Sequence, residues 1–94
     1  MNAKETIDKI RLLLSENEIF YDDEKSEMEE AIALLFTFCG GNAYLLEKCT
    51  EIKGYWKTLA SPRRLAQAPH NSPELRRWIG QALDILESPP KLED

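Results

Sequence analysis

The chain has 94 residues, 43% of them apolar and 31% charged, with a formal net charge of −5. That length leaves room for one domain, and a chain of this size buries roughly two-thirds of its unfolded surface without needing disulfides or metals. The composition excludes a disordered chain, and no apolar run approaches the ~18–20 residues of a membrane span. The longest apolar run near the N-terminus, Leu12-Leu13-Leu14, has acidic residues on both sides, unlike a secretory leader. The expectation is a soluble, cytoplasmic protein.

The charge is unevenly placed. Residues 1–47 carry four basic and eleven acidic side chains, a balance of −7, whereas residues 48–94 carry eight basic and six acidic ones, a balance of +2. Between residues 53 and 77, Lys53, Lys57, Arg63, Arg64, Arg76 and Arg77 face Glu74 alone. A basic patch is therefore expected inside an acidic protein.

The first helix is predicted to start at Asn2, a good N-cap, with Glu5 three residues on to complete a capping box. Ala3, Ile7, Ile10 and Leu14 then share one stripe, Leu13 widens it, and Leu12 points away. The pattern fades at Ser15-Glu16-Asn17. Ile19-Phe20-Tyr21 reads as an apolar connection covering one end of the core.

A second helix begins within residues 22–26, where Ser26 and Glu29 suggest another capping box and the acidic residues suit the positive end of the helix dipole. Met28, Ala31, Ile32, Leu35, Phe38 and Cys39 form one face. Leu34 and Phe36 broaden the arc until only Glu30, Ala33 and Thr37 remain outside, which marks a central helix packed on more than one side. Such a helix is more apolar than a small monomer covers easily, an excess that favours self-association or a protein partner. Gly40-Gly41 ends it.

Asn42 caps the third helix, whose seam is Leu45, Cys49, Ile52, Trp56 and Leu59, with Tyr44 and Tyr55 on its flank. Ser61-Pro62 signals a further short helical turn over 62–67. Ser72-Pro73 repeats that start signal, and a last helix runs to about Glu87 with Leu75, Trp78, Ile79, Ala82 and Leu86 inside, flanked by Leu83 and Ile85. Pro89-Pro90 stops it.

No segment alternates with a strand period. The fold class predicted is all-α: a small up-and-down antiparallel bundle of four helices over 1–88, with an extra short helical turn before the last helix and a flexible C-terminal tail over 89–94. Trp56 and Trp78 are expected to be largely buried. Counting the rise along the hairpin of the second and third helices offsets Cys39 from Cys49 by roughly 9 Å. That exceeds the reach of a disulfide, so both are expected as free, inward-facing thiols.

Few residues offer chemistry. The single histidine, His70, lies in a Pro-flanked loop without partners for a triad or a zinc site, and no phosphate loop, dinucleotide fingerprint or metal-binding cysteine pair occurs. The acidic run 22–30 lacks the alternating ligands and central glycine of a calcium loop. No catalytic residues, metal or cofactor are therefore expected, and the protein is not expected to be an enzyme. The leading functional expectation is a protein-interaction module: an adaptor, a chaperone-like factor or an inhibitor of another protein, able to self-associate. It would use the basic patch of Lys53, Lys57, Arg63, Arg64, Arg76 and Arg77, with Tyr44, Tyr55 and His70 as further contact candidates. The alternative is a nucleic-acid-associated regulator in which that patch neutralises phosphates.

Overall fold

The computed structural model describes residues 1–61 and 72–93. Its helices are α1 (Ala3–Glu16), α2 (Asp22–Thr37), α3 (Ala43–Leu59) and α4 (Ser72–Glu87), and no strand occurs among the described residues. The short turn predicted over 62–67 lies outside them.

Two of the expected caps form. Asn2 Oδ1 accepts from the Glu5 amide at 2.8 Å while Glu5 Oε1 accepts from the Asn2 amide at 3.0 Å, a complete capping box. At α3 the Asn42 side chain accepts from the amides of Tyr44 and Leu45. The cap predicted for α2 does not form, because the helix has already begun at Asp22 and Ser26 lies inside it. Tyr21 occupies the N-cap position without a side-chain hydrogen bond, and Asp22, Asp23 and Glu24 fill the first turn. Their charges complement the dipole in place of a capping oxygen. Gly40 and Gly41, at φ of 58° and 79°, make the left-handed turn that ends this segment.

Each helix runs antiparallel to its neighbours. Arg11 pairs with Asp84 at 2.8 Å and with Glu87, and Arg76 reaches the carbonyls of Leu14 and Glu18, so the start of α4 meets the end of α1. Packing is most extensive between α3 and α4, next between α1 and α2, and slighter between α2 and α3 and between α1 and α4. The core between them holds Ile7, Ile10, Met28, Leu35, Ile52, Ile79, Leu83 and Leu86, all essentially without exposure. Burial on this scale, at about 25 cal/mol per Å² of apolar surface, drives the assembly.

One end is closed by the α1–α2 connection. Of its three apolar residues only Phe20 turns inward, edge-on to Trp56 with ring centroids 4.9 Å apart, while the Arg76 guanidinium lies over the Phe20 ring, 5.0 Å from its centroid. Ile19 and Tyr21 are exposed.

Three expectations require correction. Trp78 is 38% exposed rather than buried. The inward residues of α4 are Leu75, Ile79, Ala82, Leu83 and Leu86, and including Leu83 turns the stripe away from Trp78. At about 100° per residue, Trp78 sits roughly 85° from the middle of that stripe. The segment expected to be a flexible tail is laid back on the bundle through residue 93. Leu92 is 5% exposed, its amide donates to the Leu86 carbonyl at 3.1 Å, and the Glu93 amide donates to the Phe38 carbonyl at 3.1 Å. The apolar Leu92 gains more from the core than from solvent.

The third correction concerns the cysteines. They are free thiols, both buried, yet their sulfur atoms lie 3.5 Å apart. The 9 Å offset counted only the rise between Cα positions. Helical side chains tilt toward the N-terminus. Cys49 therefore leans back toward the turn, and Cys39, just past the end of α2, reaches into the bundle.

Candidate functional site

The predicted basic patch divides into residues with different work. Lys53 and Lys57 are exposed on α3, one turn apart, and Arg77 is exposed on α4. Arg76 is engaged inside the fold. Its guanidinium donates to the Leu14 carbonyl at 2.5 Å and to the Glu18 carbonyl at 2.9 Å. A cation there satisfies carbonyls that the end of α1 leaves open and suits the negative end of that helix. Partial burial lowers its pKa, and the nearby Glu18 opposes that shift. Arg63, Arg64 and His70 lie outside the described residues.

The two tyrosines also differ. Tyr44 is 43% exposed, with the Lys48 ammonium 5.4 Å from its ring centroid. Tyr55 is half-buried and tilts against Trp78, with 5.7 Å between centroids. The acidic start of α2 is largely solvent-facing, and among the described residues no group of three or more acidic, histidine or cysteine side chains is placed to hold a metal ion.

The feature that residue-by-residue reading did not find lies between α2 and α3. Below their shared turn the two helices leave a groove of about 680 Å³. Its floor is apolar, made by Ile32, Ala33 and Phe36 of α2 and by Trp56 and Ala60 at the end of α3. Glu29 stands on the α2 rim, and Lys53 and Lys57 stand on the α3 rim. Among the described residues none of these three charges has an ion-pair partner. The sequence did carry a signal for it. The apolar arc of α2 is wider than one seam requires, and Phe36 remains half-buried with Ala33 exposed.

By contrast, Arg11, half-buried where α1 meets α4, is neutralised by Asp84 and Glu87. Partial burial works against its charge, but the hydrogen bonds to Glu87 and Asp84 prevail and raise its pKa. The groove thus combines an apolar floor with rim charges of both signs that have no ion-pair partner among the described residues. Comparison of the chain with protein-family models, with curated proteins and with solved structures finds no match.

Proposed function

We propose that this protein is a non-enzymatic protein-interaction module, acting as an adaptor, chaperone-like factor or inhibitor, that seats an amphipathic helix of its partner in the α2–α3 groove. The observation carrying this reading is the rim charge that has no ion-pair partner among the described residues, beside an apolar groove. An amphipathic helix presents apolar side chains at i, i+3, i+4 and i+7, which suit a floor of Ile32, Phe36 and Trp56. Lys53 and Lys57, four residues apart, stand about 6 Å apart along α3, the spacing of two acidic residues at i and i+4 on a partner helix lying alongside. Burying the floor supplies affinity, while the lysines supply orientation and a faster encounter at low salt.

The nucleic-acid alternative has lost one of its cations, because Arg76 is turned to the carbonyls of α1. The chain also keeps its net charge of −5, which opposes general attraction to phosphates.

The test is affinity capture from nuclease-treated extract of the source cell with three baits. The unmodified protein is expected to retain a protein partner. Ala33→Arg, which fills the groove from an exposed position, is expected to lose it. The double reversal Lys53→Glu with Lys57→Glu is expected to weaken capture most at low salt, since exposed charges are screened over about 10 Å at 0.1 M. A partner held equally well by Ala33→Arg would remove the groove from consideration. Binding abolished by nuclease, with a steep salt slope on duplex DNA or single-stranded RNA, would establish the alternative. Capture of a second copy of this chain would make the partner the protein itself.

A further inference from the structure

We propose that Cys39 and Cys49 are a modification site: a dithiol that a hydroperoxide oxidises to an intramolecular disulfide, tying the α2–α3 turn to α3. The two sulfur atoms are 3.5 Å apart inside the core, and both thiols are free. A disulfide bond is about 2.05 Å long, so the sulfurs need to approach by only about 1.5 Å, within the reach of small side-chain rotations. The Cys39 thiol also has a hydrogen-bond acceptor, the Leu35 carbonyl at 3.5 Å. With Cys39 donating there, the Cys49 thiol donates to the Cys39 sulfur, which already aligns the two atoms that must bond.

Access is unequal, and the inequality orders the steps. A surface recess of about 380 Å³ is lined by Cys39, Gly40, Asn42 and Leu45 on one side and by Pro90 and Lys91 of the returning C-terminal segment on the other. Cys49 does not line it. A small hydroperoxide therefore meets Cys39 first. The Cys39 sulfur attacks one peroxide oxygen, the O–O bond breaks, and the departing oxygen takes up the Cys39 proton and leaves as water or alcohol. Cys39 is now a sulfenic acid. The Cys49 sulfur attacks the Cys39 sulfur, the S–O bond breaks, and the hydroxyl leaves as water with the Cys49 proton. Two thiols have lost two electrons and the peroxide has gained them. Burial, followed by the hydrogen bond with Cys39, pushes the Cys49 thiol up to about 12. Because the thiolate is the nucleophile, this shift disfavours Cys49 as the sulfur that meets the peroxide first, in line with its place away from the recess.

The test uses the unmodified chain. Native reduced protein is treated with hydrogen peroxide, denatured, alkylated and digested with trypsin, which separates the cysteines into the peptides 26–48 and 49–53. The expected product is one species joining both peptides, two hydrogens lighter than their sum, formed without dimers on a non-reducing gel. Oxidation of the exposed Met1 reports that enough peroxide was present. Two separate alkylated peptides at a dose that fully oxidises Met1 would overturn the proposal. So would oxygen adducts on either cysteine without the link, or a link between chains. Two variants check the order. Cys49→Ser should stop at a Cys39 sulfenic acid trapped by dimedone, and Cys39→Ser should leave Cys49 unoxidised. Trapping of Cys49 instead would reverse the assignment and overturn the role given to the recess.

Discussion

Helix α3 is flanked by two seams that differ in kind. Toward α4 the contact is the most extensive in the molecule, and the α4 side supplies Leu75, Ile79, Ala82, Leu83 and Leu86 in continuous burial. Toward α2 the contact is slighter, with a groove running past Ile32, Phe36 and Trp56. Both seams are lined by apolar side chains, so hydrophobicity alone does not separate them. What separates them is angular match. The stripe of α4 is narrow enough for its neighbours to cover, whereas the arc of α2 is broad and leaves part of itself open. This surplus apolar surface, beside charges that have no ion-pair partner among the described residues, is what the proposed docking of a partner helix rests on.

The sharpest way to break this comparison is to truncate the closed seam. Ile79→Ala, at a position 1% exposed, is expected to cost about 2–5 kcal/mol in chemical denaturation. A loss below about 1 kcal/mol would mean that this seam relaxes as readily as the open one. Arg76→Ala should come next, at about 1–3 kcal/mol, because it strands the Leu14 and Glu18 carbonyls and uncovers Phe20. Arg76→Lys should recover only part of that loss, since an ammonium lacks the planar fork that serves two carbonyls. A full recovery would show that charge at the end of α1 matters and geometry does not.

Trp78 lies at the rim of the closed seam, so its expected contribution is smaller. Trp78→Ala should cost about 1 kcal/mol, chiefly the contact with Tyr55. Acrylamide should quench the fluorescence of a Trp56→Phe variant readily and that of Trp78→Phe poorly. Equal quenching would mean that Trp56 is not shielded by Phe20. The smallest effect belongs to Ala33→Arg, expected within about 0.5 kcal/mol of the unmodified protein because the site is exposed. A large loss there would mean that the groove is closed in solution.

The features legible in the sequence were those set by neighbours along the chain. The Asn2–Glu5 box, the Asn42 cap and the Gly40-Gly41 turn each depend on a few consecutive residues, and all three form. The seam of α3 was legible for the same reason, since its spacing alone orients it. What was not legible depended on which helix end meets which. Arg76 reads as one more surface cation until α4 is laid antiparallel to α1, when its partners turn out to be carbonyls 58 and 62 residues away. Leu92 reads as a stray apolar residue in a charged tail until the end of α4 is placed beside α1 and the α2–α3 turn. The cysteine contact was missed because axial rise was counted without side-chain direction. The groove required knowing how much of the α2 arc its neighbours would leave uncovered.

The missing side-chain cap at Tyr21 has a consequence for where the bundle opens. The first amides of α2 have no capping side-chain oxygen from Tyr21, and the same helix packs less extensively on its α3 side than on its α1 side. Local opening follows the weakest combination of hydrogen bonding and apolar contact. Backbone amides of the first turn of α2 are thus expected to exchange with solvent long before those of α4 around Leu83. A partner helix seated in the groove would be laid along an element whose start opens readily, and its binding would be registered as slowed exchange over α2 without any change in the position of the other three helices.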